Sequence, residues 1–235
     1  MLSNKNLSEN IADKIKNRII RGEYAVNDQL PSEQELSASL NVSRTTIREA
    51  VKILVARHVL EIERGKGTFV TKIPGLGDDP LGLDFVPDNK LRQDLFEFRC
   101  TLEPEVCMLA AKNATPNQIA EMRKLTQRME QLVSKINGPP YDETMIDTYT
   151  NNEIMFHTLV WNMTHNVIFE RLSDLISRAV TFSYTTLIYR KSFDLASNTI
   201  SHIMLYNAIA ERDVEKARKL GEEHILDFMK VLSAE

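Results

Sequence analysis

The sequence predicts a mainly α-helical protein, in which three helices and a β-hairpin precede an all-α antiparallel bundle of about six helices. Three observations support this fold class. Apolar residues recur at helical spacing through most of the 235-residue chain. The segments 60–64 and 68–71 flank the glycine turn Gly65-Lys66-Gly67, which is typical of a hairpin. Five of the eight glycines fall between Gly65 and Gly82, which predicts a break in regular structure between the two parts.

Three helices are predicted ahead of the hairpin. The first carries apolar residues about one turn apart: Leu7, Ile11, Ile15 and Ile19. Ser32 and Glu35 form a capping box for the second helix, because each side chain satisfies a backbone amide of the first turn. Ser43 is a favourable N-cap for the third helix. The local signals therefore divide this part of the chain into three separate helices.

Long helices are predicted through the rest of the chain. Their expected bounds are 90–113, 115–136, 142–163, 166–190, 194–211 and 213–232. A series of long helices with few breaks favours an antiparallel bundle. The predicted organisation is an N-terminal domain at 1–72, a linker at 73–88 and a helical domain at 89–235.

Composition and charge exclude several classes of protein. No apolar run approaches the ~18 residues that span a membrane, and the N-terminus lacks the apolar core of a signal peptide. We therefore expect a cytoplasmic protein without membrane contact. Cys100 and Cys107 lie too far apart along one helix for a disulfide. Residues 1–72 carry a net charge of +3 and residues 73–235 a net charge of −7, and the basic N-terminal part is typical of nucleic-acid binding.

The second and third predicted helices form a helix-turn-helix. One face of the third helix is apolar: Ile47, Ala50, Val51 and Leu54. Arg48 points away from this face and Arg44 lies at the exposed N-terminal turn, and arginine is suited to guanine because its planar fork bonds O6 and N7 together. The hydroxyls of Ser43, Thr45 and Thr46 are suited to phosphates or base edges. The third helix is therefore predicted to enter the major groove of DNA.

The predicted hairpin turn adds a second basic element. Arg64, Gly65 and Lys66 form a thin loop able to reach the DNA backbone or the minor groove. A solvated surface helix would explain an isolated pair of arginines. The ordered set of three helices and a basic hairpin favours DNA binding instead, so we interpret residues 1–72 as a winged helix-turn-helix domain.

Three runs in this domain closely resemble the GntR family of regulators. They are Leu30-Pro31-Ser32-Glu33-Gln34-Glu35-Leu36, Asn41-Val42-Ser43-Arg44-Thr45-Thr46-Ile47-Arg48-Glu49-Ala50 and Gly65-Lys66-Gly67-Thr68-Phe69-Val70. The resemblance covers most of residues 8–71. It implies that Arg44, Thr45, Thr46 and Arg48 contact the operator, with the hairpin glycines at the groove. Many family members carry arginine where this chain has Gln34, which implies a weaker or different contact there.

A second candidate site consists of Glu153, His157, His202 and His224. Glu153 and His157 share a helix face at i, i+4, and the other two histidines lie on two later helices. Facing helices of a bundle can bring the four groups together, and three imidazoles with a carboxylate suit zinc, nickel or manganese. From spacing alone, surface histidines or hydrogen-bonded core histidines are the alternative.

The helical part resembles the FCD domain, the effector domain of the FadR-type subgroup. The resemblance covers residues 90–232 and rests on three motifs: Glu153-x-x-Phe156-His157, Ser201-His202-x₅-Ala208-Ile209 and Glu223-His224-Ile225. It implies a divalent metal on Glu153, His157, His202 and His224, although metal-binding members usually carry Asp or Asn at position 153. Arg99 matches the arginine of the family's Arg-x-x-x-Glu pattern. It would clamp an acidic effector, or else form an ion pair with Glu103.

These observations favour a transcription regulator, with repression relieved by the effector as the expected response. A homodimer would place two DNA-binding domains on the half-sites of a double-stranded palindromic operator. A small carboxylate effector would enter the bundle and contact the metal and Arg99. One alternative is a metal-dependent enzyme with a DNA-binding appendage, since an open three-histidine site can activate water. The other is an architectural DNA-binding protein without a ligand.

Overall fold

The computed structural model describes residues 6–77, 79, 81–135, 141–187 and 194–233. Within these ranges it describes the side chains of all residues except 174, 179, 182–187 and 228–233. The chain forms two compact units, Met1–Val86 and Pro87–Glu235. Residues 78 and 80 of the predicted linker, residue 136 and residues 188–190 of two predicted helices, and the chain ends lie outside the described residues.

A short 3-10 helix (Leu83–Phe85) ends the first unit, and before it lie three α-helices and a hairpin in the predicted order. They are α1 (Leu7–Ile20), α2 (Glu33–Leu40), α3 (Arg44–Ala56), β1 (Leu60–Glu63) and β2 (Gly67–Val70). The predicted capping box of α2 is present, with the Ser32 hydroxyl on the Glu35 amide and the Glu35 carboxylate on the Ser32 amide. Asn41 ends α2 in the left-handed conformation, at φ 53°, which makes the tight turn into α3 possible.

The apolar face of α3 is the centre of the first unit's core, as its sequence predicts. Its four buried residues are Ile47, Ala50, Val51 and Leu54. They belong to one cluster with Ile11, Ile15 and Leu36 of the other helices and with Leu60 and Val70 of the hairpin. The antiparallel register pairs Leu60 with Val70 and Glu63 with Gly67. Burial of one face fixes the opposite face of α3 toward solvent.

The second unit contains the six predicted helices. They are α4 (Asp88–Asn113), α5 (Pro116–Val133), α6 (Glu143–Asn162), α7 (Val167–Leu187), α8 (Leu195–Ala210) and α9 (Val214–Ser233). Where both bounds fall on described residues, they differ from the predicted ones by at most three residues, because the breaks are marked by local signals such as Thr115, which caps α5 ahead of Pro116. The predicted fold class is thus confirmed for the described part of the chain.

The core of the second unit is built on α6, whose largest buried side chains are Tyr149, Phe156 and Trp161. α6 packs against α4, α5 and α7, while α4 also packs along α9. Because α6 has neighbours on several sides, two of its polar residues, Glu153 and His157, are buried as well, and both are candidate metal ligands. Among the described residues, no helix is both long enough and apolar enough to cross a membrane.

Candidate nucleic-acid interface and metal centre

The exposed face of α3 carries Arg44, Thr45 and Arg48, all open to solvent. The Ser43 hydroxyl accepts a hydrogen bond from the Thr46 amide and lies 2.8 Å from the Thr46 hydroxyl. Ser43 therefore caps the helix, and its hydroxyl is partly occupied before any ligand binds. The arginines are the strongest candidates for contact with bases, because their guanidinium groups extend beyond the capped turn.

Arg48 is held by a carboxylate of the preceding helix. Its Nε donates to Glu33 Oε1 at 3.1 Å, and its Nη2 donates to Glu33 Oε2 at 2.8 Å. The hydrogen bond from Arg48 lowers the pKa of Glu33, and the charge of Arg44 lowers it further, while Glu33 raises the pKa of Arg48. Sequence reasoning assigned no role to Glu33, and no local pattern pairs it with a residue fifteen positions away. Gln34, beside it, is exposed.

The hairpin turn presents Arg64, Gly65 and Lys66 to solvent. Gly65 has a φ of 79°, which favours glycine. The Gln29 side-chain amide donates to the Lys66 carbonyl at 2.7 Å and lies over Gly67, where a side chain would collide with it. The turn is therefore tied to the segment before α2. Lys66 also forms an exposed ion pair with Glu63, at 2.8 Å.

The four predicted metal-site residues meet in the core of the second unit. His157, His202 and His224 each offer a ring nitrogen, and these atoms lie within 4.8 Å of one another. Glu153 Oε2 is 3.1 Å from His202 Nε2 and 3.8 Å from His157 Nε2. All four side chains are buried. The structure thus brings together side chains from α6, α8 and α9.

Each histidine has a partner on its Nδ1 atom. His157 Nδ1 lies 3.3 Å from Glu103 Oε2, and His202 Nδ1 lies 2.7 Å from the Asn198 carbonyl. His224 Nδ1 lies 2.8 Å from the Ser201 hydroxyl, which donates its own proton to the same carbonyl. The Glu103 carboxylate and the Asn198 carbonyl accept, so His157 and His202 donate from Nδ1, and Ser201 accepts in the same way from His224 when its own proton is on the Asn198 carbonyl. Such outer partners orient metal-binding histidines and leave Nε2 as the atom that would bind a metal.

The electrostatics of the site differ from one histidine to the next. Burial lowers the pKa of His157, and Glu103 offsets this only in part. Burial lowers the pKa of His224 well below its ordinary value. Burial by itself also lowers the pKa of His202, but the charge and hydrogen bond of Glu153 outweigh it, so the pKa of His202 is raised. In the metal-free protein, His202 is therefore the ring that keeps a second proton most readily.

Arg99 forms the ion pair with Glu103 that the sequence left open. Its Nε donates to Glu103 Oε1 at 2.5 Å, and both side chains are buried. Burial by itself raises the pKa of Glu103, but the charges of Arg99 and His157 lower it to about 2. Glu103 therefore stays ionised. The charge of Arg99 also lowers the pKa of all three histidines.

The donor set fits a divalent metal. Three neutral imidazoles and one carboxylate match the ligands of borderline metals, and the oriented Nδ1 atoms are what a histidine site requires. Sequence reasoning missed Asn198, whose side chain donates to Glu153 Oε1 at 3.1 Å and whose carbonyl holds His202. Its position four residues before His202, on the same helix face, is the signal that could have identified it.

Comparison with protein families gives two matches. The family described as "Bacterial regulatory proteins, gntR family" matches residues 7–70. The FCD domain matches residues 94–227, more than half of the chain. The two matches together cover both candidate sites.

Curated relatives align over nearly the whole chain. The HTH-type transcriptional repressor NanR of Klebsiella aerogenes is 27% identical over 238 residues, which cover 95% of this chain and 84% of that protein. The Glc operon transcriptional activator of Escherichia coli (strain K12) is 26% identical over 231 residues, covering 96% and 89%. A solved structure, Streptococcus agalactiae GntR, superposes with a TM-score of 0.78 at 28% identity, covering 95% of this chain and 99% of that one.

Proposed function

Because the chain belongs to the GntR family of transcription regulators and carries an FCD effector domain, we propose that a small organic acid controls its binding to operator DNA, with a divalent metal in the effector site. The relatives named above are transcriptional regulators rather than enzymes, so the metal-dependent enzyme alternative is set aside. The cytoplasm, where the operator is found, is the proposed location.

The proposed DNA contacts come from α3 and the hairpin turn. Arg44 and Arg48 read bases in the major groove, with Ser43, Thr45, Thr46 and Gln34 at phosphates or base edges. Arg64, Gly65 and Lys66 contact the backbone or the minor groove beside it. A homodimer brings two such surfaces to a palindromic operator. Support comes from the exposure of both arginines, Arg44 in the first turn of α3 and Arg48 outside its buried stripe.

The observation that carries the effector proposal is the convergence of three oriented histidines and Glu153 beside a buried Arg99. His157, His202, His224 and Glu153 would hold zinc, nickel or manganese. When bound, the metal supplies a positive centre that binds a carboxylate oxygen of the effector. Arg99 supplies a second cationic group for the same carboxylate. Glu103 keeps both Arg99 and the His157 ring in place.

We propose repression relieved by the effector, as in the first sequence interpretation. The relatives include both a repressor and an activator by name, so the sign of the response needs its own measurement. Effector binding and operator binding are coupled, and coupling of this kind is ordinarily ~1–3 kcal/mol. If effector binding lowers the affinity for operator DNA by some factor, operator binding must lower the affinity for the effector by the same factor.

The test uses full-length protein in three forms: wild type, His202→Ala and His224→Ala. Elemental analysis should find about one divalent metal per wild-type chain and little in either variant. A panel of carboxylates should then raise the melting temperature of the wild type alone. If the wild type carries no metal after growth in metal-replete medium, and added zinc, nickel or manganese leaves its melting temperature unchanged, the metal proposal fails.

The DNA contacts are tested separately: Arg44→Ala and Arg48→Ala should each weaken operator binding by about 1–3 kcal/mol per half-site.

A further inference from the structure

The bidentate contact between Glu33 and Arg48 joins the two helices of the helix-turn-helix. Both carboxylate oxygens are used, one on Nε and one on Nη2 of the same guanidinium. The Arg48 side chain is 57% exposed and that of Glu33 is 32% exposed. An ion pair this open to water contributes little to folding stability, because the charges are screened and two long side chains lose their freedom. The main consequence of the ion pair is therefore that it holds the Arg48 guanidinium in one direction.

The contact leaves one edge of the guanidinium for another ligand. Arginine has five N–H donors in a planar fork, and Glu33 takes one on Nε and one on Nη2. The edge formed by Nη1 and the second proton of Nη2 still has two parallel donors. Two parallel donors are what O6 and N7 of guanine accept in the major groove. Glu33 thus fixes the plane in which Arg48 presents that edge.

Glu33 also changes the charge of the surface. A carboxylate that neutralises Arg48 weakens the attraction of this part of α3 to phosphates, which supplies most of the binding to unrelated DNA. The charge of Arg44 acts on Glu33 as well, so the carboxylate lies within the field of both base-reading candidates. Arg48 is therefore poorly suited to unspecific contact with phosphates and well suited to one hydrogen-bonded contact with a base.

We infer that Glu33 is a specificity-determining positioning residue, which aims Arg48 at one base pair of each operator half-site and suppresses binding to other sequences. This inference rests on the proposed function of α3 as the helix in the major groove. Glu33 acts through Arg48 and touches no base itself. The alternatives are an ordinary surface ion pair and a carboxylate that competes with DNA for Arg48.

The experiment compares wild type with Glu33→Gln, which keeps the shape of the side chain and removes its charge. The probes are a duplex that wild-type protein enriches from a randomised pool and an unrelated duplex of equal length, at one salt concentration. Affinity for the unrelated duplex should rise about twofold. The ratio of the two affinities should fall roughly tenfold per half-site. Selection with Glu33→Gln should relax the same base position that Arg48→Ala relaxes.

Three further variants isolate the cause. Glu49→Gln removes an equal charge from α3, but Glu49 pairs with Lys52 instead, at 2.8 Å, so both affinities should rise together and their ratio should hold. Glu33→Asp keeps the charge but is too short for both bonds, so the ratio should fall with no gain on unrelated DNA. In an Arg48→Ala background, Glu33→Gln should leave the ratio unchanged.

The outcomes separate the inference from the function on which it rests. If the ratio of selected to unrelated affinity is unchanged in Glu33→Gln, Glu33 is only a surface charge and the inference is overturned. If that ratio rises, Glu33 competes with DNA for Arg48, and the inference is overturned as well. A loss of ratio that persists without Arg48 means that Glu33 does not act through that residue. If wild-type protein enriches no sequence at all, the proposed DNA-binding function fails first.

Discussion

A single buried carboxylate, that of Glu103, connects the candidate metal ligand His157 to the candidate effector residue Arg99. Its two oxygens are divided between the two partners, at 3.3 Å and 2.5 Å. A buried charge is costly unless it is paired and hydrogen-bonded, and here both conditions are met. The pairing also gives His157 the tautomer that a metal needs.

Replacing Glu103 with glutamine should weaken metal binding by about 10- to 100-fold, the usual cost of losing an outer partner of a ligating histidine. The measurement is competition with a chelator on full-length protein. Glu105→Gln is the matched control, because Glu105 lies on the same helix but forms an exposed ion pair with Arg218. Equal metal affinity in the Glu103 and Glu105 variants would show that Glu103 does not support the site.

The pH dependence of metal binding should follow His202. Its pKa is raised, chiefly by the charge of Glu153 acting against burial, whereas burial lowers the pKa of His157 and His224. As pH falls, His202 gains a proton first, and a metal must displace that proton. Metal affinity should therefore decrease as pH falls through a midpoint above the ordinary histidine value of about 6.5.

Histidine NMR titration of the metal-free protein checks this order directly. The His202 ring should titrate at a higher pH than the His157 and His224 rings. Glu153→Gln should lower the His202 midpoint, because it removes the charge that raises it. A His202 midpoint below that of His157 would contradict the assignment.

At the scale of the elements, α4 and α9 approach closely at Gly221. A methyl group on Gly221 would lie 2.8 Å from Cys107 Sγ and 3.1 Å from Cys107 Cβ, inside normal contact distance. Cys107 is buried and Ala110 follows one turn later on the same helix, so the space cannot open without moving α4. A glycine inside a helix is unfavourable by itself, and this contact explains why one stands here.

Gly221→Ala should destabilise the protein by about 1–2 kcal/mol, because overpacking exceeds the gain of up to about 1 kcal/mol in helix propensity. Urea unfolding gives the change in the free energy of unfolding. Adding Cys107→Ala should recover part of the loss, because it removes the nearest atom. The control is Cys100→Ala, on the half-buried thiol of the same helix, whose effect should simply add to that of Gly221→Ala. A stabilised Gly221→Ala protein would contradict the close packing.

At the scale of the whole molecule, charge and apolar surface are divided between the two parts of the chain. The N-terminal 72 residues are net basic and the remainder is net acidic. The second unit also exposes several large apolar side chains: Met155, Val167, Ile168, Ile200, Met204 and Leu226. The first part therefore carries the net attraction to DNA, and the exposed apolar side chains of the second unit offer a surface for self-association.

We expect the full chain to sediment as a dimer at micromolar concentration, and a fragment of residues 87–235 to do the same. The fragment matches the second compact unit, and its circular dichroism should show that it remains helical. Residues 1–72 alone should be monomeric, because the helical unit has the larger apolar core and is the part expected to pair. If the 87–235 fragment is helical but monomeric, dimerisation depends on the N-terminal unit or on DNA instead.

The sequence by itself determined what depends on near neighbours along the chain. Helical periodicity placed the buried face of α3, and the Ser32–Glu35 box and Thr115 marked where helices begin. The resemblance to the FCD domain then implied the four candidate metal ligands. The helix signals are set by interactions within about four residues, so they can be read without knowing how the helices pack.

Only the tertiary structure decided which groups support those residues. Glu33 meets Arg48 across 15 positions, Glu103 meets His157 across two helices, and Asn198 reaches Glu153 across 45 positions. Each contact depends on the distance and rotation between packed helices, which the pattern of a single helix does not fix. Chemistry in this protein depends on such contacts, because a carboxylate within hydrogen-bond distance of a ring sets its tautomer and shifts its pKa, whereas a more distant carboxylate shifts the pKa less and leaves the tautomer free.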